Sequence, residues 1–146
     1  MKIQIFDSYQ TLGMFEKENI VNFLHTHLDE FRDDKASIRK AIEYAVGESS
    51  VVGGYVIVGS IAEKIAGVVV INRTGMDGYI PENILVYIAV DATLRGQGIG
   101  KKLMKNAIDM AKGNIALHVE PNNPARFLYE KIGFTNKYLE YRLIRE

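Results

Sequence analysis

The stretch Val90-Asp91-Ala92-Thr93-Leu94-Arg95-Gly96-Gln97-Gly98-Ile99-Gly100-Lys101 decides how the chain is read. An apolar run, Ile84–Val90, leads into it and is short enough for a buried strand. An amphipathic pattern leads out of it, from about Ile99 to Lys112, with Leu103, Met104, Ala107, Ile108 and Ala111 on one side. Between them, three alternating glycines let the backbone turn sharply and bring its N–H groups close to a ligand, because no Cβ blocks the approach. Those groups sit at a helix N-terminus, where the macrodipole favours negative charge, and Arg95 and Lys101 add cations at the edges. A pyrophosphate-like anion suits this nest; a tight strand-to-helix connection without a ligand is the plain alternative. The spacing rejects two other phosphate turns. A P-loop follows Gly-Lys with Ser or Thr, and Gly100-Lys101 is followed by Lys102. A dinucleotide fingerprint needs G-x-G-x-x-G, and this turn is G-x-G-x-G.

Working outward, Ile115–Glu120 is the next strand, and Asn123 and Pro124 supply an N-cap and first-turn proline. Ala125, Leu128, Tyr129 and Ile132 form one helical stripe that Gly133 closes. From Phe134 onward, and especially over Tyr138–Ile144, alternation predicts a final strand. Upstream, Lys2–Asp7 alternates as a first strand, and Leu12–Phe31 reads as a helix through Ile20, Phe23, Leu24 and Phe31. Asp33 and Asp34 can cap a second helix carrying Ile38, Ala41, Ile42 and Ala45, which Gly47-Glu48-Ser49-Ser50 ends. Val51–Gly59 and Lys64–Asn72 form a hairpin around Ala62-Glu63, and Gly75–Pro81 is a loop. Strands followed by a βαβα run make a mixed α/β sandwich, read as one domain over residues 1–146.

Composition narrows the chemistry. The 146 residues carry 18 basic and 18 acidic side chains, so no net field marks a nucleic-acid or membrane partner. The absence of cysteine excludes a thiol nucleophile, a thiolate metal site and a disulfide framework. His25 and His27 stand about 200° apart around a helix and cannot share a metal, so no metal is expected. No apolar run reaches the roughly 20 residues of a membrane span, and the N-terminus lacks a signal-peptide block, which together predict a cytoplasmic domain.

Two segments resemble the GCN5-related N-acetyltransferases. Arg95-Gly96-Gln97-Gly98-Ile99-Gly100 is similar to that family's (Gln/Arg)-x-x-Gly-x-(Gly/Ala) signature. Asn122-Asn123-Pro124-Ala125-Arg126-Phe127-Leu128-Tyr129-Glu130-Lys131-Ile132-Gly133-Phe134 is similar to its N-x-x-A-x-x-x-Y-x-x-x-G-F segment, in the expected order and spacing. The resemblance covers Ile84 to Phe134 and implies a splayed mixed sheet flanked by helices. It further implies that the amides of Gly96, Gln97, Gly98, Ile99 and Gly100 bind the pyrophosphate of acetyl-coenzyme A. Ile88, Ala89 and Val90 would pair with the pantetheine arm, and Asn122 would contact it, although Asn122 also suits a turn.

Tyr129 carries the chemistry this resemblance implies: its hydroxyl protonates the departing thiolate. A phenol of pKa about 10 can donate to a thiolate whose conjugate acid lies near 8.5. Periodicity alone favours a core residue with one hydrogen bond at Tyr129, and the motif match reverses that preference. The resemblance places a glutamate six residues before the strand's last valine, but that position is Ile84. Glu82 and Glu120 are the remaining candidates for a base, while His118 reads as structural. The acidic run Asp29, Glu30, Asp33 and Asp34 reads as a solvated face and, through the resemblance, as a border of the acceptor site.

The function expected is acetyl transfer from acetyl-coenzyme A to a primary amine, small or peptidic, by direct attack. The alternative, motivated by Ile84, is an acyl-coenzyme A sensor with weak catalysis. The identity of the amine is not written in the sequence. Its oligomeric state is equally open, with a homodimer among the options.

Overall fold

The second and third strands read as nearly unbroken apolar runs because the sheet they occupy is covered on both faces. In the computed structural model, which describes residues 1–48 and 52–145, they are β2 (Gly54–Ile61) and β3 (Lys64–Arg73). Along β2 the side chains alternate between two cores: Val56 and Val58 enter one, Tyr55 and Ile57 the other. Ala62 and Glu63 adopt positive φ in the two-residue turn that joins the strands, the twist a tight hairpin needs.

The remaining elements are β1 (Lys2–Phe6), α1 (Met14–His27), α2 (Lys35–Ala45), β4 (Asn83–Val90), α3 (Ile99–Met110), β5 (Ile115–Leu117) and α4 (Ala125–Ile132). The sheet order is β1-β2-β3-β4-β5, antiparallel except for the final parallel pair. One core joins α1 and α2 to the sheet through Val21, Leu24, Ile38 and Ile42. The other joins α3 and α4 through Leu103, Met104, Ala107 and Tyr129. A bidentate bond from Arg39 to Glu18 (2.7 and 2.8 Å) and one from Lys17 to Glu43 (2.9 Å) hold α1 against α2. The mixed α/β fold expected from the element order is the fold observed.

Several boundaries differ from the sequence reading. The helix expected over Leu12–Phe31 stops at His27, because Asp29 takes a positive φ of 57° and a short 3₁₀ turn, Asp29–Phe31, replaces the last turn. Asp34 occupies the N-cap position of α2, whereas Asp33 instead accepts a hydrogen bond from Tyr87. Ser49, Ser50 and Val51, read as a helix end and a strand start, lie outside the described residues; the strand begins at Gly54. The final strand is the largest correction: Tyr138–Ile144 pairs with no described strand, and its side chains lie exposed.

Candidate active site

The site begins with a defect in β4. Val70 pairs with Tyr87 and Ile71 with Leu85, so Val86 is an extra residue, a bulge that bends the strand. β5 follows β4 only as far as Leu85↔Leu117 and separates where the bulge begins. The strand expected over Ile115–Glu120 is therefore only three residues long: His118, Val119 and Glu120 leave the sheet because β4 bends away from them. The sheet splays, as the resemblance implied.

That splay uncovers one edge of β4. Asp91 N donates to Ala66 O on β3 at 2.8 Å. Strand alternation then turns the peptide groups of Ile88 and Val90 to the opposite edge, toward the gap. Ile88 and Val90 also pack their side chains into the α3–α4 core, while Ala89 faces the α1–α2 core.

The glycine turn closes one end of the gap. Gly96 and Gly98 have φ of 82° and 80°, values for which glycine is favoured, and a Cβ on either would meet nothing within 4 Å. The turn thus presents bare backbone to open space. Gly98 is the N-cap of α3 without any side-chain cap, and the first intrahelical bond runs from Lys102 N to Gly98 O. The preceding helical N–H groups, of Ile99, Gly100 and Lys101, are left for an anion. Gly100 differs: its Cβ would lie 3.4 Å from Leu128 and 3.5 Å from Val90, ordinary contact distances, so it faces packed protein where Gly96 and Gly98 face open space. These observations fit a diphosphate at the turn and an extended arm along β4, the two halves of coenzyme A.

Tyr129 lies in α4, 8% exposed, in the same core cluster as Ile88, Val90 and Ile99. Its ring meets Phe134 edge-on, with centroids 6.0 Å apart. No hydrogen bond to its hydroxyl occurs among the described residues, and no buried side-chain polar atom there lacks a partner, so the ring is buried while the hydroxyl oxygen keeps some solvent contact. Burial pushes its pKa up to about 12, and the phenol stays protonated at neutral pH.

The carboxylates expected near the site are elsewhere engaged or outside the sheet. Glu82 accepts from Asn114 N at 2.6 Å and Gly78 N at 3.0 Å, tying the loop before β4 to the turn before β5. Those backbone donors hold its carboxyl below the usual range, which opposes use as a base. It also lies at the start of β4, eight residues from Val90, a span of about 26 Å along a strand. Glu120 is exposed beyond the end of β5, and its carbonyl accepts from Asn123 N in the turn before α4. Asn122 is exposed in that turn, while Asn123 Oδ1 accepts from Ala125 N, and the N-cap position of α4 falls to Pro124, one residue later than the sequence suggested. Arg95 donates to His27 O at 2.7 Å, and Lys101 is exposed on the first turn of α3.

Three long-range contacts enter the picture from the structure alone. His27, at the end of α1, accepts from Ala92 N at 3.1 Å through Nδ1 and, with Arg95, fastens the segment before the glycine turn. Tyr87 donates to Asp33 at 2.5 Å, joining β4 to the segment before α2. These contacts link residues 54 to 68 positions apart, beyond the reach of any local pattern. Only the Asp91–Thr93 cap had a local signal: Asp91 Oδ1 accepts from both Thr93 N and Thr93 Oγ1.

Among the described residues no helix is long and apolar enough to cross a membrane, and no three His, Cys, Asp or Glu converge as a metal site. No curated protein matches the sequence. Solved structures do match. A Pyrococcus horikoshii protein is 23% identical with a TM-score of 0.70, over 96% of this chain and 93% of that one. A ribosomal-protein-alanine N-acetyltransferase from Brucella melitensis is 17% identical with a TM-score of 0.67, over 100% and 99%. A chain of the NatC complex, solved with Gag peptide and CoA, is 22% identical with a TM-score of 0.67, over 94% and 87%. At these identities the likeness establishes the fold. The family profile described as Acetyltransferase (GNAT) domain matches residues 52–136, more than half of the chain and all of the splay, glycine turn and Tyr129. The chain belongs to the GNAT acetyltransferase family.

Proposed function

We propose that the protein is a single N-acetyltransferase domain that moves an acetyl group from acetyl-coenzyme A to a primary amine by direct attack. The observation that carries this reading is the meeting of an uncapped, glycine-fronted helix N-terminus with the unpaired edge of β4. When bound, acetyl-coenzyme A supplies the acetyl group as an activated thioester. The amides of Gly96, Gln97, Gly98, Ile99 and Gly100 hold its diphosphate, with Lys101 adding a cation nearby. The edge of β4 at Ile88 and Val90 orients the arm as an added strand, and one of its N–H groups stabilises charge developing on the acetyl oxygen. Asn122 borders the arm from the turn before α4.

Tyr129 holds the proton that the departing sulfur needs. Its hydroxyl, unbonded within the described residues, is available to a ligand, and its raised pKa keeps it protonated across the neutral range. Glu120 is the retained candidate for relaying the amine's proton; Glu82 is dropped from this role because two backbone amides already occupy its carboxylate. Holding amine and thioester in one gap supplies much of the rate enhancement. The chain has no cysteine, so transfer through a cysteinyl thioester is excluded.

The test is thiol release from acetyl-coenzyme A across an amine panel, read beside thermal stabilisation by coenzyme A. Stabilisation with amine-dependent release supports the transferase. Stabilisation without turnover on any amine supports the second reading, a coenzyme A sensor. That reading is favoured by Ile84, which lies between Asn72 and Ala116 in the sheet and brings no carboxylate. Failure of millimolar coenzyme A to stabilise the protein overturns both.

A further inference from the structure

The apolar rows of the sheet turn polar at one end. On the face that packs against α3 and α4, the strands β2, β3 and β4 bury Ile57, Ile71 and Leu85. Two residues along each strand, toward the end of the sheet away from the glycine turn, the same rows carry Tyr55, Arg73 and Asn83. Arg73 lies directly opposite Asn83 in the ladder and diagonal to Tyr55, which faces Ile71. The helix α3 stops at Met110, and Lys112 in the turn that follows joins Glu82 and these three side chains in lining a cleft of about 310 Å³. That volume stands at the lower end of the range for small-molecule sites.

The polar atoms of this cleft are not all spent on the protein. Tyr55 is 8% exposed; its hydroxyl accepts from Arg73 Nη2 at 2.6 Å, and its own proton has no acceptor among the described residues. Asn83 is 2% exposed; its amide nitrogen donates to Lys112 O at 2.8 Å and to Asn114 O at 3.3 Å, which leaves Oδ1 without a hydrogen bond among the described residues. No wholly buried side-chain polar atom there lacks a partner, so Oδ1 opens to the cleft that Asn83 lines. The guanidinium of Arg73 is held over the Tyr55 ring, 4.9 Å from its centroid, and the Arg73 main chain bonds Gly53 O and the Tyr44 hydroxyl. Neither Arg73 nor Lys112 forms an ion pair with a described carboxylate. Glu82, kept ionised by the amides of Gly78 and Asn114, supplies the one negative charge.

We infer that this cleft binds a free α-amino acid. Its carboxylate meets Arg73, Lys112 and the Tyr55 hydroxyl proton, and its ammonium meets Asn83 Oδ1 beside the Glu82 carboxylate. The donor and acceptor set selects this chemistry. An anion alone leaves Asn83 Oδ1 without a donor, and a cation alone faces two cations across a small cleft. A zwitterion serves both, and a free amino acid carries its two charges on neighbouring atoms of one carbon, close enough for a cleft of this size. The site is separate from the gap beside the glycine turn: Asn83 and Val90 are the two ends of β4, on the order of 23 Å apart along the strand. The amino acid bound here is therefore a ligand additional to any amine that is acetylated, and the inference stands whether or not the protein is an active transferase.

Thermal melting of the full chain without coenzyme A tests it, with the standard α-amino acids as probes, each at up to about 10 mM and neutral pH. At least one is expected to raise the melting temperature by about 3 °C, while acetate, methylamine and inorganic phosphate at the same concentration do not. Calorimetric titration of that amino acid is then expected to show affinity about tenfold weaker in Arg73→Gln and in Tyr55→Phe, and several-fold weaker in Lys112→Gln. Arg73 and Lys112 are exposed and Tyr55→Phe keeps the buried ring, so far-ultraviolet circular dichroism is expected to match wild type in all three. Three results overturn the inference. One is that no amino acid stabilises the protein. Another is that acetate or phosphate stabilises it equally, which means an adventitious ion only. The third is undiminished affinity in folded Arg73→Gln and Lys112→Gln, which places the amino acid elsewhere on the molecule.

Discussion

The two halves of the sheet obey different rules. From β1 to β4 every strand is antiparallel to its neighbour, and Val56, Ile57, Val68, Val69, Val70 and Ile71 are fully buried on one face or the other. From β4 to β5 the pairing lasts three residues, the strands part at a bulge, and Ile115 and Leu117 are only partly covered. A sheet with all its edges satisfied has no room for an extended ligand. The second half gives up ladder hydrogen bonds and apolar burial, and the exposed backbone that results is the candidate binding surface. Burial is concentrated in the meander, and the proposed recognition surface lies where the sheet fails to close.

The sharpest way to break this contrast is a pair of truncations. Ile57→Ala in β2 empties a fully buried site and is expected to destabilise the fold by about 3 kcal/mol. Leu117→Ala in β5 removes a similar volume from a partly covered site and is expected to reduce stability by about 1 kcal/mol. Urea denaturation of the two variants makes the comparison. Equal losses would mean that the splayed half is as tightly packed as the meander.

Tyr129→Phe reverses the weighting. Its hydroxyl makes no hydrogen bond within the described residues, so neutral-pH stability is expected to stay within about 0.5 kcal/mol of wild type. Turnover is expected to fall on the order of 100-fold if the phenol is the general acid. Steady-state thiol release, with coenzyme A binding measured separately, checks it. Wild-type turnover removes Tyr129 from the acid role.

An alkaline titration distinguishes the two buried phenols. Tyr129 has its pKa raised to about 12, against about 10 in an unfolded chain, by burial. Tyr87 is raised further, by burial first and then by its bond to Asp33. Because the native state keeps these protons longer, it binds more protons than the unfolded state above about pH 10. Their contribution is full below that pH and is lost as pH rises through the native values. For Tyr129 the loss is on the order of 2 kcal/mol by about pH 12. Urea midpoints from pH 9 to pH 12 are expected to fall less steeply in Tyr129→Phe, with the part due to Tyr87 remaining. An unchanged slope would mean that the Tyr129 hydroxyl is already solvated in the native state.

Legibility in the sequence follows the same division. The hairpin, the helix stripes and the glycine turn depend on neighbours within a few residues, and periodicity and φ preference located each of them. The bulge at Val86 left no mark, since Ile84–Val90 reads as one uninterrupted apolar run; the early end of β5 follows from that bulge and was equally hidden. Glu82 looked like a possible base because its sequence position was close, while its capture by Asn114, added to the local bond from Gly78, depends on a turn 32 residues away. His27 and Asp33 reach the site only through tertiary contacts. The tail shows the opposite case: its alternation was plain, but a strand pattern does not state which sheet it joins.

A substitution in the glycine turn bears most directly on recognition. Gly98→Ala places a methyl group on a residue at φ 80°, and the left-handed conformation costs about 1 kcal/mol for alanine. Among the described residues, nothing beyond its chain neighbours lies within 4 Å of that methyl, so packing adds no further loss. Any weakening of coenzyme A binding beyond that small destabilisation therefore reports a clash with the ligand itself. Thermal shift against coenzyme A concentration is expected to show at least a tenfold weaker affinity at a melting temperature lowered by only a few degrees. If affinity is unchanged, the diphosphate does not approach Gly98, and the uncapped end of α3 is a strand-to-helix turn with no ligand to hold.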